Sequence, residues 1–469
     1  MKKIIISLLL ILLFTICLPI TAVAAEGSDT YSQIDKYLQR SAKAANLPGM
    51  SVIIVDKNSV LFSNTYGNCD SIDTPFIIGS MSKSFTAVSI MQLVEQGKIY
   101  IDNSMQAYLP DVAYGDKITV RQLLNQTSGL GEYQRLSNIK ITASYGTHQY
   151  ANVNYCLLGK IIEKVSGMSY EEYVTENIFK PLDMKASAAS LLKSNASGLI
   201  SGYRNFFGIP ISGKPDYPSK NSWSQVPAGY ISSSAPDMGK YLQMYLSGGE
   251  NIISPESVKT VFYDNVAAKS DKSYYYGMGW SLSKEYEEPI LGHSGLVENY
   301  MSNMFILPEC GIGVVLLANT NDYLVADNMF STISKSIVLM LMNKNSILLS
   351  RNSYLISHLL IDGMYLAIFL IALLPFFLLK RYKNKLMLQK TGKRIIAISC
   401  LHIVLPTALL MSPRVLDTPL WVVRYYVPDL FLTLLISASL LYIGGIIKVR
   451  CLYKARSKNC SMQSNKYHS

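Results

Sequence analysis

Ser80 and Lys83 lie three residues apart in Gly79-Ser80-Met81-Ser82-Lys83, a spacing that puts a hydroxyl and an amine on one face of a helix. A serine hydroxyl is a poor nucleophile until a base removes its proton, and an amine in a dry site can take or relay that proton. Placing Ser80 at a helix N-terminus adds backbone N–H groups and the positive end of the helix dipole. The spacing recurs at Ser137/Lys140, Ser190/Lys193 and Ser281/Lys284. Only the Ser80 copy follows an apolar Phe76-Ile77-Ile78 and opens a long apolar stretch, Phe85 to Val94.

Two further stretches could complete such chemistry. Tyr150-Ala151-Asn152 precedes a helical pattern at Tyr155 to Val165. A tyrosine beside a lysine ammonium can have its pKa lowered and act as a base. An Asn amide can accept from the lysine and donate to a substrate carbonyl. Tyr-x-Asn also occurs at Tyr66, Tyr203, Tyr263 and Tyr382, so in isolation it reads as a loop tyrosine. The third stretch is His293-Ser294-Gly295, ahead of strand-like sequence. Gly295 would let a ligand approach the strand edge, and the N–H of Leu296 could face an oxyanion. By itself it reads as a structural turn.

The surrounding elements set where these residues can meet. Met50 to Val55 and Ser59 to Tyr66 read as a hairpin around Asp56-Lys57-Asn58. Helical periodicity follows over Phe85 to Val94, closed by Gly97, then over Asn154 to Ser166 and Tyr170 to Phe179. Tyr300 to Leu307 and Gly311 to Leu317 read as strands, and a helix is expected from Tyr323 to Met342. Strands at both ends with helices between predict an α/β (α+β) domain. It would hold a mostly antiparallel sheet flanked by helices, an all-helical lobe and a cleft between them.

At 469 residues with 49% apolar and 16% charged residues, the chain is too apolar to be wholly soluble. The net charge of +11 does not indicate a nucleic-acid partner, because 15 Lys/Arg against two acids fall between Lys380 and the C-terminus. Residues 1–25 read as a signal peptide, with Lys2 and Lys3, an apolar Ile4 to Leu18, and Ala22-Val23-Ala24-Ala25 as cleavage site. An extracytoplasmic domain is expected over 26–345, a linker over 346–358, transmembrane helices over 359–379, 395–411 and 426–447, and a basic cytoplasmic tail over 448–469. Seven Lys/Arg lie in 380–394 and six in the tail, against only Arg414 and Arg424 in the intervening loop. Positive residues thus collect on the side that export of the domain assigns to the cytoplasm. Cys69, Cys156 and Cys310, the cysteines of the expected exterior domain, form no disulfide framework. No His/Cys/carboxylate cluster has metal-ligand spacing, so neither metal nor organic cofactor is expected.

In the order Ser-x-x-Lys, Tyr-x-Asn, His-x-Gly, the motifs resemble those of the serine β-lactamase and penicillin-binding superfamily. The sequence is similar to the branch holding class C β-lactamases, D,D-carboxypeptidases, D-aminopeptidases and related esterases. Further blocks share the resemblance, among them Gln126-Thr127-Ser128-Gly129-Leu130, Pro227-Ala228-Gly229 and Tyr276-Gly277-Met278-Gly279-Trp280, over about Ala44 to Thr320. The resemblance implies a β-lactamase/transpeptidase-like fold and an acyl-enzyme on Ser80. Lys83 and Tyr150 would move protons, and Asn152, His293, Ser294 and Gly295 would bind substrate. The backbone N–H groups of Ser80 and Leu296 would form an oxyanion hole. It points first to D-amino-acid peptides such as peptidoglycan stems ending in D-alanine. A β-lactamase or an esterase on the same fold is the alternative, and a non-catalytic peptidoglycan or β-lactam sensor is one of another class. The main departure is His293, where many relatives carry a lysine that meets a substrate carboxylate. An unperturbed histidine is mostly neutral at pH 7, which weighs against strong β-lactamase activity.

Overall fold

The computed structural model describes residues 30–215, 217–219, 221–268, 273–284, 288–384 and 391–467. The expected signal peptide lies outside them.

Gly49–Val55 is buried along its whole length because both faces of its sheet are covered. With a side-chain period of two, Met50, Val52 and Ile54 enter one core while Ile53 and Val55 enter the other. The strand pairs antiparallel with Val60–Gly67, as the hairpin signal predicts, and Asp56 Oδ1 accepts from the N–H groups of Asn58 and Ser59 in the turn. On its other side it pairs with Ile312–Ala318, in the register Met50↔Ala318, so the two ends of the domain close one sheet. Eight antiparallel strands follow in the order Val60–Gly67, Gly49–Val55, Ile312–Ala318, Tyr300–Leu307, Ile290–Val297, Trp280–Ser283, Tyr274–Gly277 and Val266–Ala267. His293 therefore sits inside a strand rather than ahead of one.

Helices Thr30–Ala44 and Ala326–Leu341 cover one sheet face through Ile34, Leu38, Phe330 and Ile333. The helical lobe covers the other. At its centre runs Ser82–Glu95, buried from Ser82 to Leu93, as befits a helix with protein on every side. Gly97, at φ +67°, ends it, with Lys98 N–H bonded back to Leu93 O.

Among the described residues, three helices are long and apolar enough to cross a membrane: Arg351–Phe377 of 27 residues, Gly392–Val415 of 24 and Pro428–Ala455 of 28. The first begins inside the stretch expected as a linker. The second is longer than its apolar core suggested. A π-turn at Cys400–Val404 carries the chain past Pro406, whose missing N–H would break a regular α-helical ladder.

No local sequence signal marks that the segment between the second and third of these helices turns back onto the sheet-and-helix domain. Its short helix Leu420–Tyr426 sets Trp421 edge-on against Tyr133 (6.2 Å) and Trp223 (5.7 Å), and Tyr426 lies 5.7 Å from Tyr323. An unforeseen hairpin, Gly202–Phe206 and Ile209–Gly213, meets the third helix where Phe207 N–H donates to Asp429 Oδ2 at 3.2 Å.

Candidate active site

Ser80 sits in a single tight turn, Gly79–Met81, that leads into the buried helix. The turn is pinned from three sides. Ile78 N–H donates to Ile231 O, Ser302 Oγ donates to Ile78 O, and Ser82 Oγ donates to Gly79 O. Gly79 adopts φ +53°, and a Cβ there would lie 2.6 Å from the nitrogen of Leu296. Only glycine fits that approach, which sets Ser80 beside the Ile290–Val297 strand. Across the contact, a Cβ on Gly295 would lie 2.1 Å from Ile78 O and 2.3 Å from Ser302 Oγ. What comes close to Gly295 is thus the protein's own backbone, whereas the sequence suggested a ligand.

Lys83 is fully buried one helical turn below Ser80. Its Nζ donates to Ser80 Oγ at 3.0 Å, Asn152 Oδ1 at 2.7 Å and Ala228 O at 2.5 Å. Three ammonium hydrogens meet three acceptors. Desolvation nonetheless pulls its pKa down from 10.5 to about 7, because burial penalises the charged form. On losing a proton the amine keeps two donors and gains a lone pair within reach of the Ser80 hydroxyl, the state in which it can act as a base.

Asn152 opens the helix Asn152–Ser166. With Oδ1 engaged by Lys83, its Nδ2 is left as donor. The approach from Tyr150 to Asn152 is held by Gln126, whose Oε1 accepts from Ala151 N–H at 3.0 Å and from Asn154 Nδ2 at 2.5 Å. Ser128 Oγ donates to Asn154 Oδ1 at 2.6 Å. The Gln126-Thr127-Ser128 block therefore positions the second motif. Pro227 packs on the Cα of Gly159, where a Cβ would lie 2.4 Å away, and this seats the Ala228 carbonyl over Lys83.

Tyr150 is half-buried, lines the same cavity as Ser80, and its ring lies 4.8 Å from Lys83 Nζ. Burial raises its pKa, against the expectation that lysine would lower it. The group is a phenol near neutral pH and can pass protons through its hydroxyl.

His293 is held neutral. Its Nδ1 lies 2.6 Å from Ser294 O and its Nε2 3.1 Å from Tyr276 Oη. Nδ1–H donates to that carbonyl and Nε2 accepts from the tyrosine. Desolvation, with Lys83 adding repulsion, pushes its pKa down to about 3. Tyr276 was not assigned a role from sequence. Its ring stands edge-on to both Tyr150 and His293 and joins the two motifs.

Ser80, Tyr150, Asn152, His293, Ser294 and Leu296 all line one cavity of about 830 Å³. Gly295 is not among its lining residues, and Lys83 lies beneath its floor. Glu132 and His148 also line it, and no local motif marked either. Among the described residues, no group of three His/Cys/Asp/Glu could hold a metal ion.

An antiparallel sheet, a helical lobe and a serine with a buried lysine one turn on, between the two layers, together make the penicillin-recognising serine-hydrolase fold. The Beta-lactamase family model matches residues 34–330, and the chain belongs to that family. Among curated proteins it is similar to Protein flp of Staphylococcus aureus, 26% identical over 330 residues, covering 63% of this chain and 64% of that one. Beta-lactamase-like protein 4 of Dictyostelium discoideum is 27% identical over 350 residues, covering 62% and 60%. The chain thus spans less than two thirds of the length of these relatives. Among solved structures, the octameric penicillin-binding protein homologue from Pyrococcus abyssi aligns with a TM-score of 0.60 at 27% identity, covering 67% of this chain and 78% of that one. A D-stereospecific amidohydrolase from Streptomyces sp. aligns with a TM-score of 0.52 at 22% identity, over 62% and 94%, a likeness of fold.

Proposed function

We propose that the chain is a membrane-anchored serine hydrolase that is acylated on Ser80 and releases the acyl group to water. The observation that carries this reading is the placement of Lys83 Nζ, 3.0 Å from Ser80 Oγ with a pKa near 7. Neutral Lys83, with Tyr150 as relay, takes the hydroxyl proton as Oγ attacks a carbonyl, and the proton passes on to the leaving group. The N–H groups of Ser80 and Leu296 receive the oxyanion, and Asn152 Nδ2 donates to the substrate. Water then repeats the sequence on the acyl-enzyme.

The favoured substrate is an ester or amide with no carboxylate beside the scissile bond. His293 is neutral, and the described residues lining the cavity include no Lys or Arg. That observation moves the D-alanyl-D-alanine carboxypeptidase reading, first from sequence, into second place, and β-lactams with it. D-peptides of peptidoglycan stems remain the second class, supported by the motif resemblance.

The Lys/Arg distribution supports an orientation with the catalytic domain outside the cytoplasmic membrane and the C-terminus in the cytoplasm. The test is intact mass of the purified full chain after exposure to a penicillin, a D-alanyl peptide, a neutral ester and a fluorophosphonate, beside Ser80→Ala. Adducts or turnover that vanish in the variant support the reading. A Ser80 inert to every reagent removes it in favour of a binding domain.

A further inference from the structure

The cavity above Ser80 is walled on one side by the membrane region. Beyond the catalytic residues it is lined by Val422 and Val423 of the short helix Leu420–Tyr426, then by Val427, Leu430 and Leu434. Leu430 and Leu434 lie four residues apart on one face of the third apolar helix, which begins at Pro428. Leu434 is therefore about 9 Å along that helix at 1.5 Å per residue. One continuous space leads from a nucleophile to side chains of a membrane span.

Its chemistry changes along the way. Near Ser80 the walls carry the hydroxyl, amide and imidazole groups of Tyr150, Asn152 and His293. Toward the span Val422, Val423, Val427, Leu430 and Leu434 form an aliphatic stretch, with Tyr426, Thr418 and Ser412 beside it. Glu132, the one acid among the described lining residues, has its pKa raised, chiefly by desolvation. Such a lining suits a ligand with one polar carbonyl and a hydrocarbon tail.

The exterior domain also presents apolar side chains at the level where that span begins. Phe207, Ile209 and Ile211 on the unforeseen hairpin are 46%, 63% and 50% exposed, and the Phe207 ring lies 6.2 Å from Tyr365 of the first span. Exposed apolar groups clustered there fit a surface resting against lipid. The cleft would thus face the bilayer.

We infer that the substrate is a membrane amphiphile, an ester or amide whose carbonyl reaches Ser80 while its hydrocarbon tail lies along Val423, Leu430 and Leu434. This rests on the hydrolase reading above. The amphiphile enters from the bilayer in which the chain is anchored. Ser80 Oγ bonds to the carbonyl carbon as the C–O or C–N bond to the leaving group breaks, and the leaving atom takes the serine proton. Water cleaves the acyl-enzyme and supplies the hydroxyl of the released acid. The spans act here as part of the substrate site as well as an anchor.

The test uses the full chain in phospholipid nanodiscs with two fluorophosphonates, one ethyl and one hexadecyl, read as Ser80 labelling by intact mass. The wild type should label faster with the hexadecyl probe. Leu434→Trp should lower the hexadecyl-to-ethyl rate ratio at least about tenfold by filling the tail end, with Leu434→Ala made alongside as a milder change. Partition of the long probe into lipid is common to all variants and cannot change that ratio. A ratio that stays the same in Leu434→Trp, or equal loss of both probes in both variants, overturns the amphiphile inference while Ser80 labelling in the wild type leaves the hydrolase standing. No labelling of the wild type by either probe removes the hydrolase reading and this one with it.

Discussion

Lys83 Nζ lies 3.0 Å from Ser80 Oγ inside a fully buried pocket where its three hydrogens are matched by three oxygens. Burial and hydrogen bonding oppose one another at this amine. Burial dominates and brings its pKa to about 7.

The first prediction is a pH profile. Acylation of Ser80 by a neutral ester needs uncharged Lys83, so its rate should rise with pH, bend near 7 and then level. Stopped-flow acylation between pH 5 and 9 measures it, and a flat profile would remove Lys83 as the base. Lys83→Ala should lose about 10² to 10⁴ in rate, the range for a general base.

Stability should follow the same group. Lys83 has a folded pKa of about 7 against 10.5 for the ordinary side chain. Between those values the unfolded chain binds more protons, so this group's contribution to stability rises with pH across the window and is lowest below 7. Lys83→Met should therefore compare more favourably with wild type at pH 6 than at pH 10. Thermal unfolding in detergent at the two values checks the direction.

His293 accounts for a third outcome. With its pKa near 3 it stays neutral above pH 5, so KM for a carboxylate-bearing substrate should show no histidine step between pH 5 and 8. His293→Lys should raise the preference for a carboxylate-bearing β-lactam over a neutral ester by about tenfold or more, the worth of one charge-assisted hydrogen bond. An unchanged preference would mean that the substrate carboxylate lies elsewhere.

Gly295 allows a backbone test. A Cβ at that position would meet Ile78 O at 2.1 Å, so Gly295→Ala should push the Ile290–Val297 strand from the Ser80 turn. Labelling by a small fluorophosphonate should slow about 10²-fold, the cost of losing one oxyanion donor. Rates within about threefold of wild type would show that the two N–H groups do not work as a pair.

The sequence alone determined the features that depend on neighbours in the chain. A helix sets residues three apart on one face, which linked Ser80 to Lys83. A turn signal at Asp56-Lys57-Asn58 between two strand-like runs marked the hairpin expected from Met50. Apolar length marked three helices able to cross a membrane, and Gly97 marked the end of a helix. The tertiary structure decided what depends on distant partners. Ala228 O reaches Lys83 from 145 residues away, and Gln126 steadies Asn154 from 28. Burial in the assembled core sets the charge of Lys83, Tyr150 and His293, and for Tyr150 it reversed the expected direction. Gly295 looked like space for a ligand until Ile78 was found there. Leu434 is one apolar residue within the expected third helix, and nothing local to it records that the chain folds back and places it in the cavity of Ser80.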